Sequence, residues 1–427
     1  MAWVLFLSFF VFLFLSFPIA VAMGLACVLA ILFQGDMSLT TVAQKLFTGL
    51  DSFPLLAVPL FILAGAFMET GGISVRLVKL ASVMVGRIRG GLGMVSIVGT
   101  IFFSGISGSS TADTAAIGSI MIPSMAKRGY PRPLATAIVA SAGAMGVLIP
   151  PCIIMILYGV ATNTSIGFLF AAGFMPGALM GLALMAMTYV IAGKENLPRE
   201  PRASCGEALQ ATWNAIPPLL MPIIILGGIL SGVFTATESA VVAVIYGLLL
   251  SMVVYRELNL RDIPGILLSS SKLTGMVMLM VGMSSVFAWI VTAQRIPHGI
   301  TEAMMNFSQE PWVFLLLVNV LLLFVGMFID VTPAIITFSP ILFPIAMQLG
   351  IDPVHFGIVM VSNLGIGFIT PPVGSCLYVA AGIGRVSIES VVKRIMPFFG
   401  MMVVTLILIT YWPGMTLFVP RMLGYAK

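Results

Sequence analysis

The chain reads as an all-α polytopic membrane protein whose core is a pair of inverted repeats, each holding a re-entrant helical hairpin and a discontinuous helix. Three observations predict this: the composition, the long apolar runs and a gapless internal repeat. Hydrophobic residues make up 60% of the 427 and charged ones only 8%, where a soluble domain has about 45–50% and about 25%. Lipid offers backbone N–H and C=O groups no partner, so spanning elements are helices or closed barrel strands. Runs such as 2–33, 214–233, 237–255 and 395–411 are too long for barrel strands and suit helices. At about 20 residues per span the chain crosses roughly ten times, as one integral domain with no room for a soluble catalytic one.

The N-terminal run has no Lys or Arg before Lys45. It lacks the basic start of a cleaved signal peptide and is expected to stay as a first helix. Cys27, Cys152, Cys205 and Cys376 show neither paired spacing nor companion histidines, so they read as small fillers rather than metal or disulfide residues. The net charge of +5 reflects cations in loops; it is a matter of topology and calls for no nucleic acid partner.

The repeat lies at a constant offset of 221, from Ile120–Pro151 onto Ile341–Pro372. Pro123/Pro344, Gly129/Gly350, Ser141/Ser362, Gly146/Gly367, Pro150/Pro371 and Pro151/Pro372 are identical pairs, and upstream Gly105 meets Gly326 and Thr111 meets Thr332. Each copy is an apolar segment, a polar break, a second apolar segment, then a helix interrupted by glycines before Pro-Pro. The breaks, Ser104 to Asp113 and Asp330 to Pro333, fit hairpins whose tips stop inside the membrane. Such backbone is tolerated at depth only where it is buried or lines a cavity.

Lys and Arg give the orientation. Taking the first hairpin as re-entrant, Arg87, Arg89, Lys127, Arg128 and Arg132 flank its mouth. Lys194, Arg199, Arg202, Arg256, Arg261, Lys272, Arg385, Lys393 and Arg394 fall on the same side, leaving Arg295, Arg421 and Lys427 opposite. The crowded side is cytoplasmic by the positive-inside rule. The second hairpin's mouths, near Gln309–Pro311 and Gly350–Pro353, then open outside. Inverted repeats with broken helices are the signature of a secondary transporter with its site near the bilayer midplane.

The first tip, Ser104 to Asp113, is rich in hydroxyls and glycine, which present oxygens of the kind a hard cation such as sodium needs. Close helix packing through small residues would give the same composition. Before each Pro-Pro, proline removes a donor and frees carbonyls upstream, and kinks at equivalent places in both copies favour a role in the cation cage over a mere bend. Ionisable groups at depth cost about 2.5–3.5 kcal/mol each. Asp113, Glu238 and Asp330 are placed deepest and Glu69 nearer an end. Asp330 either binds a cation or caps the half-helix after it. Asp113 reads as a cap, and Glu238 as support for its helix N-terminus. The half-helices starting at the tips aim positive dipole ends inward, favouring an anionic substrate. His298 and His355 fall near loop ends and read as exposed or interfacial. No nucleophile–base pair, phosphate loop or metal motif supports an enzyme.

Several strings resemble the large membrane subunit, DctM-like, of tripartite ATP-independent periplasmic (TRAP) transporters. They are Asp51 to Gly65, Phe103 through Asp113, Gly129-Tyr130, Pro150-Pro151 with Ile156 to Gly159, Phe234 to Glu238, Gly326 to Asp330 and Thr370 to Gly374. The resemblance implies sodium-coupled uptake of organic acids, of the C4-dicarboxylate or sialic acid class, across a bacterial inner membrane by an elevator-type motion. It implies a periplasmic substrate-binding protein and a small membrane subunit as partners, the latter a separate polypeptide, with sodium as coupling ion and no cofactor.

The expected division is scaffold and arm over 1–86, first transport repeat over 87–162, central scaffold and second arm over 163–308, second repeat over 309–386 and a last scaffold helix over 387–427. Stretches 37–50 and 298–308 are the expected interfacial arms. The cation site is expected from Ser107, Gly108, Ser109, Ser110, Gly143, Gly146 and Pro150 in one copy. In the other it is expected from Asp330, Thr332, Gly365, Gly367, Thr370 and Pro371. Substrate is expected at Ser109, Thr111, Asn363 and Thr370. A self-sufficient ion-coupled carrier and, further off, a channel are the competing readings.

Overall fold

A computed structural model describes residues 2–15, 17–34, 38–200, 204–294 and 310–425. Arg202, Arg295, His298, Lys427 and the expected second arm at 298–308 lie outside the described residues. Among those described, all regular structure is helical, and nine segments are long and apolar enough to cross a membrane.

The apolar run 2–33 is two packed helices, α1 (Ala2–Phe14) and α2 (Ile19–Gln34), rather than the single first helix expected. Pro18, which has no N–H to donate and disfavours helical geometry in the residue before it, separates them. An amphipathic α3 (Thr40–Leu50), the expected first arm, lies on a later helix through Leu46 and Leu50, which face Gly282. Then come α4 (Ala57–Thr70), α5 (Ile73–Val85), α6 (Gly91–Ser107), α7 (Ser110–Lys127), α8 (Arg132–Met145) and α9 (Ile153–Thr162). The middle of the chain forms α10 (Ile166–Lys194), α11 (Cys205–Leu230), α12 (Ala236–Leu249) and α13 (Ile263–Ala293). The second copy supplies α14 (Pro311–Phe328), α15 (Val331–Gln348), α16 (Pro353–Gly367) and α17 (Ser375–Gly384), followed by α18 (Ile388–Tyr411) and α19 (Pro413–Met422).

The 24-residue α18, about 36 Å long at 1.5 Å per residue, separates the mouths of the two hairpins. Near its start Arg394 pairs with Glu195. Glu200, five residues on, pairs with Arg128 at 3.2 Å, and its amide donates to Gly86 O at 3.3 Å. These contacts gather the mouth of α6–α7. At its far end the Tyr411 hydroxyl donates to Trp312 O at 3.2 Å, beside the start of α14. Beyond α19, Tyr425 donates to Asp352 at 3.2 Å, and Tyr158 donates to Pro353 O at 2.9 Å. The α6–α7 and α14–α15 hairpins therefore open at opposite ends of the molecule.

Packing divides the helices by neighbour. α10 packs on α6, α18 and α19, α18 packs on α8 and α16, and α5 packs on α6. α4, α5, α11 and α12 pack with one another, and α13 lies across α2, α3, α4 and α15.

Three further expectations shift. Glu238 is exposed and closes a capping box, its amide donating to Thr235 Oγ1 at 3.2 Å while Thr235 N–H donates back to its carboxylate at 2.8 Å. It supports its helix as expected, with its carboxylate exposed rather than buried. His355, read as exposed, is buried: Nδ1 lies 2.8 Å from Thr416 Oγ1 and Nε2 3.2 Å from Thr410 O. Two polar partners offset the desolvation of its ring. Cys27, Cys152 and Cys376 are buried fillers, whereas Cys205 is exposed at the start of α11.

Candidate functional site at the hairpin tips

The first tip forms because Gly108 takes up a left-handed conformation (φ 63°) that ends α6, and Ser109 is extended before α7 begins. A reversal this short brings the last turn of α6 against the first turn of α7. Asp113, fully buried, accepts hydrogen bonds there from Ser104 and Ser107. The carboxylate sits where the α7 dipole is positive. Among the described residues no ion pair reaches it. The buried hydroxyls of Ser110 and Ser141 make no hydrogen bond.

The broken helix α8–α9 passes directly behind this cluster. A Cβ at Gly146 would stand 2.5 Å from Asp113 Oδ2, 2.6 Å from Ser104 Oγ and 3.3 Å from Ser110 Oγ. One at Gly143 would collide with Thr114 Oγ1. Only glycine lets the backbone come so close. After Met145 the chain tightens into a short 3₁₀ turn, runs extended through Ile149 and passes the cis Pro150–Pro151 bond to α9, where Ile153 N–H reaches Gly108 O at 3.4 Å.

The second tip has the same frame with different chemistry. Asp330 is the extended residue before α15, and its carboxylate accepts from Ser375 Oγ at 3.0 Å. Behind it Gly326 and Gly367 pack backbone to backbone: a Cβ at Gly367 would lie 2.7 Å from Gly326 O. Thr370 is buried, its hydroxyl donating to Ile366 O at 2.8 Å, ahead of the cis Pro371–Pro372 bond. The two broken helices meet where a Cβ on Gly365 would stand 2.5 Å from Val147.

Both tips open on one cavity of about 290 Å³. Gly108, Ser109, Ser110, Thr111, Asp330 and Thr332 line it, opposite Leu273, Met276, Val277 and Met280 of α13. Ser107, Gly143 and Gly146 stand behind the first tip, against Asp113 and its neighbours. Pro150, Gly365, Gly367, Thr370 and Pro371 are absent from the cavity's lining. Asn363 lies away from it, its amide donating to Asn319 O at 2.9 Å and Asn319 Oδ1 at 2.8 Å in a chain of hydrogen bonds that continues to Thr410. The sequence places Ser104 and Asp113 in the first tip but leaves both out of the expected ligand set, with Asp113 read as a cap. The signal was there: residues 104 and 107 are one turn apart just before a glycine reversal, so both face the start of the next helix. Nothing in the apolar run of α13 marked Met276 or Met280.

A multi-pass helical protein with two opposed hairpins converging on one cavity belongs to the class of membrane transporters. The family model for the tripartite ATP-independent periplasmic transporter, DctM component, matches residues 6–415, and the chain belongs to that family. It is 44% identical to the C4-dicarboxylate TRAP transporter large permease DctM of Pseudomonas aeruginosa, over 94% of each chain. It is 38% identical to the sialic acid TRAP transporter large permease SiaM of Vibrio cholerae, over 97% of each. It also matches the isethionate TRAP transporter permease DctMQ of Oleidesulfovibrio alaskensis at 43% identity, covering 97% of this chain and 66% of that one. Its fold is similar to that of the Alcanivorax borkumensis YdaH transporter, with a TM-score of 0.61 over 88% of each chain at 17% identity. The protein is a multi-pass inner-membrane permease subunit of a TRAP transporter.

Proposed function

We propose that this subunit carries a small organic anion across the membrane with sodium as coupling ion, receiving it from a periplasmic binding protein and braced by a small membrane subunit. The observation that carries this reading is the shared cavity. The N-terminal ends of α7 and α15 both reach it, and their dipoles favour a negative ligand. C4-dicarboxylate, sialic acid and isethionate, named for the relatives, are all anions. The buried Asp113 carboxylate, two hydroxyls donating to it and the unpartnered Ser110 hydroxyl form an oxygen-rich nest suited to a hard monovalent cation. With sodium there, the ion would supply the positive charge that this buried carboxylate otherwise lacks. Asp330 and Thr332 offer oxygens at the second tip.

Ligand binding between both tips would tie the repeats into one body, and α10 and α18 would travel with them by virtue of their packing. The apolar α13 wall is the surface such a body would slide along in an elevator motion. The test is uptake into proteoliposomes holding this chain, its small subunit and its binding protein, with succinate and sialic acid as probes. Uptake is expected to require both an inward sodium gradient and the binding protein. Equal uptake without the binding protein would establish a self-sufficient carrier instead, and indifference to sodium would remove the cation reading.

A further inference from the structure

A second cavity of about 190 Å³ adjoins the first, sharing Ile62, Ser109 and Leu273 with it, and contains Glu69, Ser269 and Ser270. The end of α4 packs tightly on the first tip: a Cβ on Gly65 would lie 3.2 Å from both Cα and O of Ser107. Glu69, four residues on, projects from the same face of α4 about 6 Å further along, so its carboxylate stands one turn from the tip. Ser270 is 7% exposed and its hydroxyl has no partner. Ser269 Oγ donates to Ile266 O at 2.9 Å, leaving its lone pairs free. This end of α4 also neighbours Arg76–Glu257, an ion pair at 2.7 Å beside Arg256, and so lies on the side where cations crowd the loops.

We infer that the Glu69 cavity is a cation site on the cytoplasmic release path, distinct from the anion's cavity. The inference rests on the sodium-coupled reading above. A cation leaving the first tip meets the Glu69 carboxylate and the Ser269 and Ser270 hydroxyls, a hard-oxygen set that suits sodium. The same carboxylate repels the organic anion, and the two spaces meet at Ile62, Ser109 and Leu273, which line both. Cation and anion thus part on the way out, which limits futile rebinding of the pair.

Sodium itself is the probe, in proteoliposomes of the full complex with binding protein outside to select one orientation. The internal sodium concentration that halves uptake is read against the external concentration that half-saturates it. Glu69→Gln is expected to raise the internal value about tenfold and leave the external one within about twofold, the tenfold being the loss of one charge-assisted contact. Ser270→Ala should move only the internal value, by less, and Glu69→Asp should restore most of it. An internal value unchanged in Glu69→Gln overturns the inference, as does an equal shift on both sides. If the wild-type complex ignores sodium altogether, it is the coupling reading that fails. If the wild type responds and only the variants show no sidedness, the Glu69 site alone fails.

Discussion

The two hairpins share a backbone plan and differ in where they keep their carboxylate. At the offset of 221, Ser104, Ser107, Ser110 and Asp113 of the first copy correspond to Val325, Phe328, Val331 and Ala334 of the second. Every polar group of the first tip's interior is apolar in the second. The second copy carries its acid at Asp330 instead, where the first has Ser109, on the cavity wall. Gly146 and Gly367, identical by sequence, accordingly serve different neighbours: one stands against side-chain oxygens, the other against the backbone of Gly326. Pseudo-symmetry of the chain therefore does not extend to its chemistry. One tip holds a charge in, the other presents one.

The largest expected effect tests that asymmetry directly. Asp113→Asn removes the only charge in a fully buried cluster; with a cation there, the loss should exceed about 3 kcal/mol, or roughly a hundredfold in sodium-driven uptake at fixed sodium. Asp330→Asn leaves a wall residue that still accepts from Ser375, and uptake should fall about tenfold at most. Sodium titrations of both variants decide the matter. Equal losses would mean that the two copies are equivalent and that the buried cluster has no special place.

The glycine pair sharpens the comparison at an intermediate scale. In Gly367→Ala the new methyl meets Gly326 O at 2.7 Å and its Cα at 2.9 Å, backbone that cannot rotate away. Overpacking of this kind costs about 1–3 kcal/mol and should appear as a lower thermal midpoint in detergent. In Gly146→Ala the nearest atoms are the ends of Asp113 and Ser104 side chains, which can turn. Stability should change less there, and the half-saturating sodium concentration should rise several-fold. A variant pair with the opposite split would reverse the assignment of the two glycines.

Much of this was legible in the sequence for physical reasons. A glycine flanked by serines inside an apolar run suits close helix packing as well as a reversal at depth; the second break at constant offset, with a proline-broken helix after each, is what favours the reversal and marks a repeat. The proline pairs marked the broken helices because proline cannot donate. Less legible was anything set by what lies across a gap in sequence. Asn363 sits in a helix interrupted like its counterpart, but its partner is Asn319, 44 residues away, and no local pattern announces such a pair. His355 lies near a helix start, where exposure is the ordinary expectation, until α18 and α19 cover it. The break at Pro18 is marked in the sequence only by the proline itself, because hydropathy alone does not register a missing N–H.

The smallest expected effect concerns a contact that only the second copy has. Ser375, which donates to Asp330, corresponds at the offset to Ile154, so the first tip has no equivalent hydroxyl. Ser375→Ala removes one hydrogen bond to a carboxylate that still faces the cavity. Because Asp330 can rotate within the cavity, the cost should stay at the low end for a single hydrogen bond, about 0.5 kcal/mol, or roughly twofold. If the bond fixes the carboxylate's direction, the apparent affinity for the anion or sodium should weaken while maximal uptake stays at the wild-type rate. Loss of maximal rate instead would mean that Ser375 helps hold the tip against α17 during movement. The split between half-saturation and maximal rate in a single uptake series separates the two.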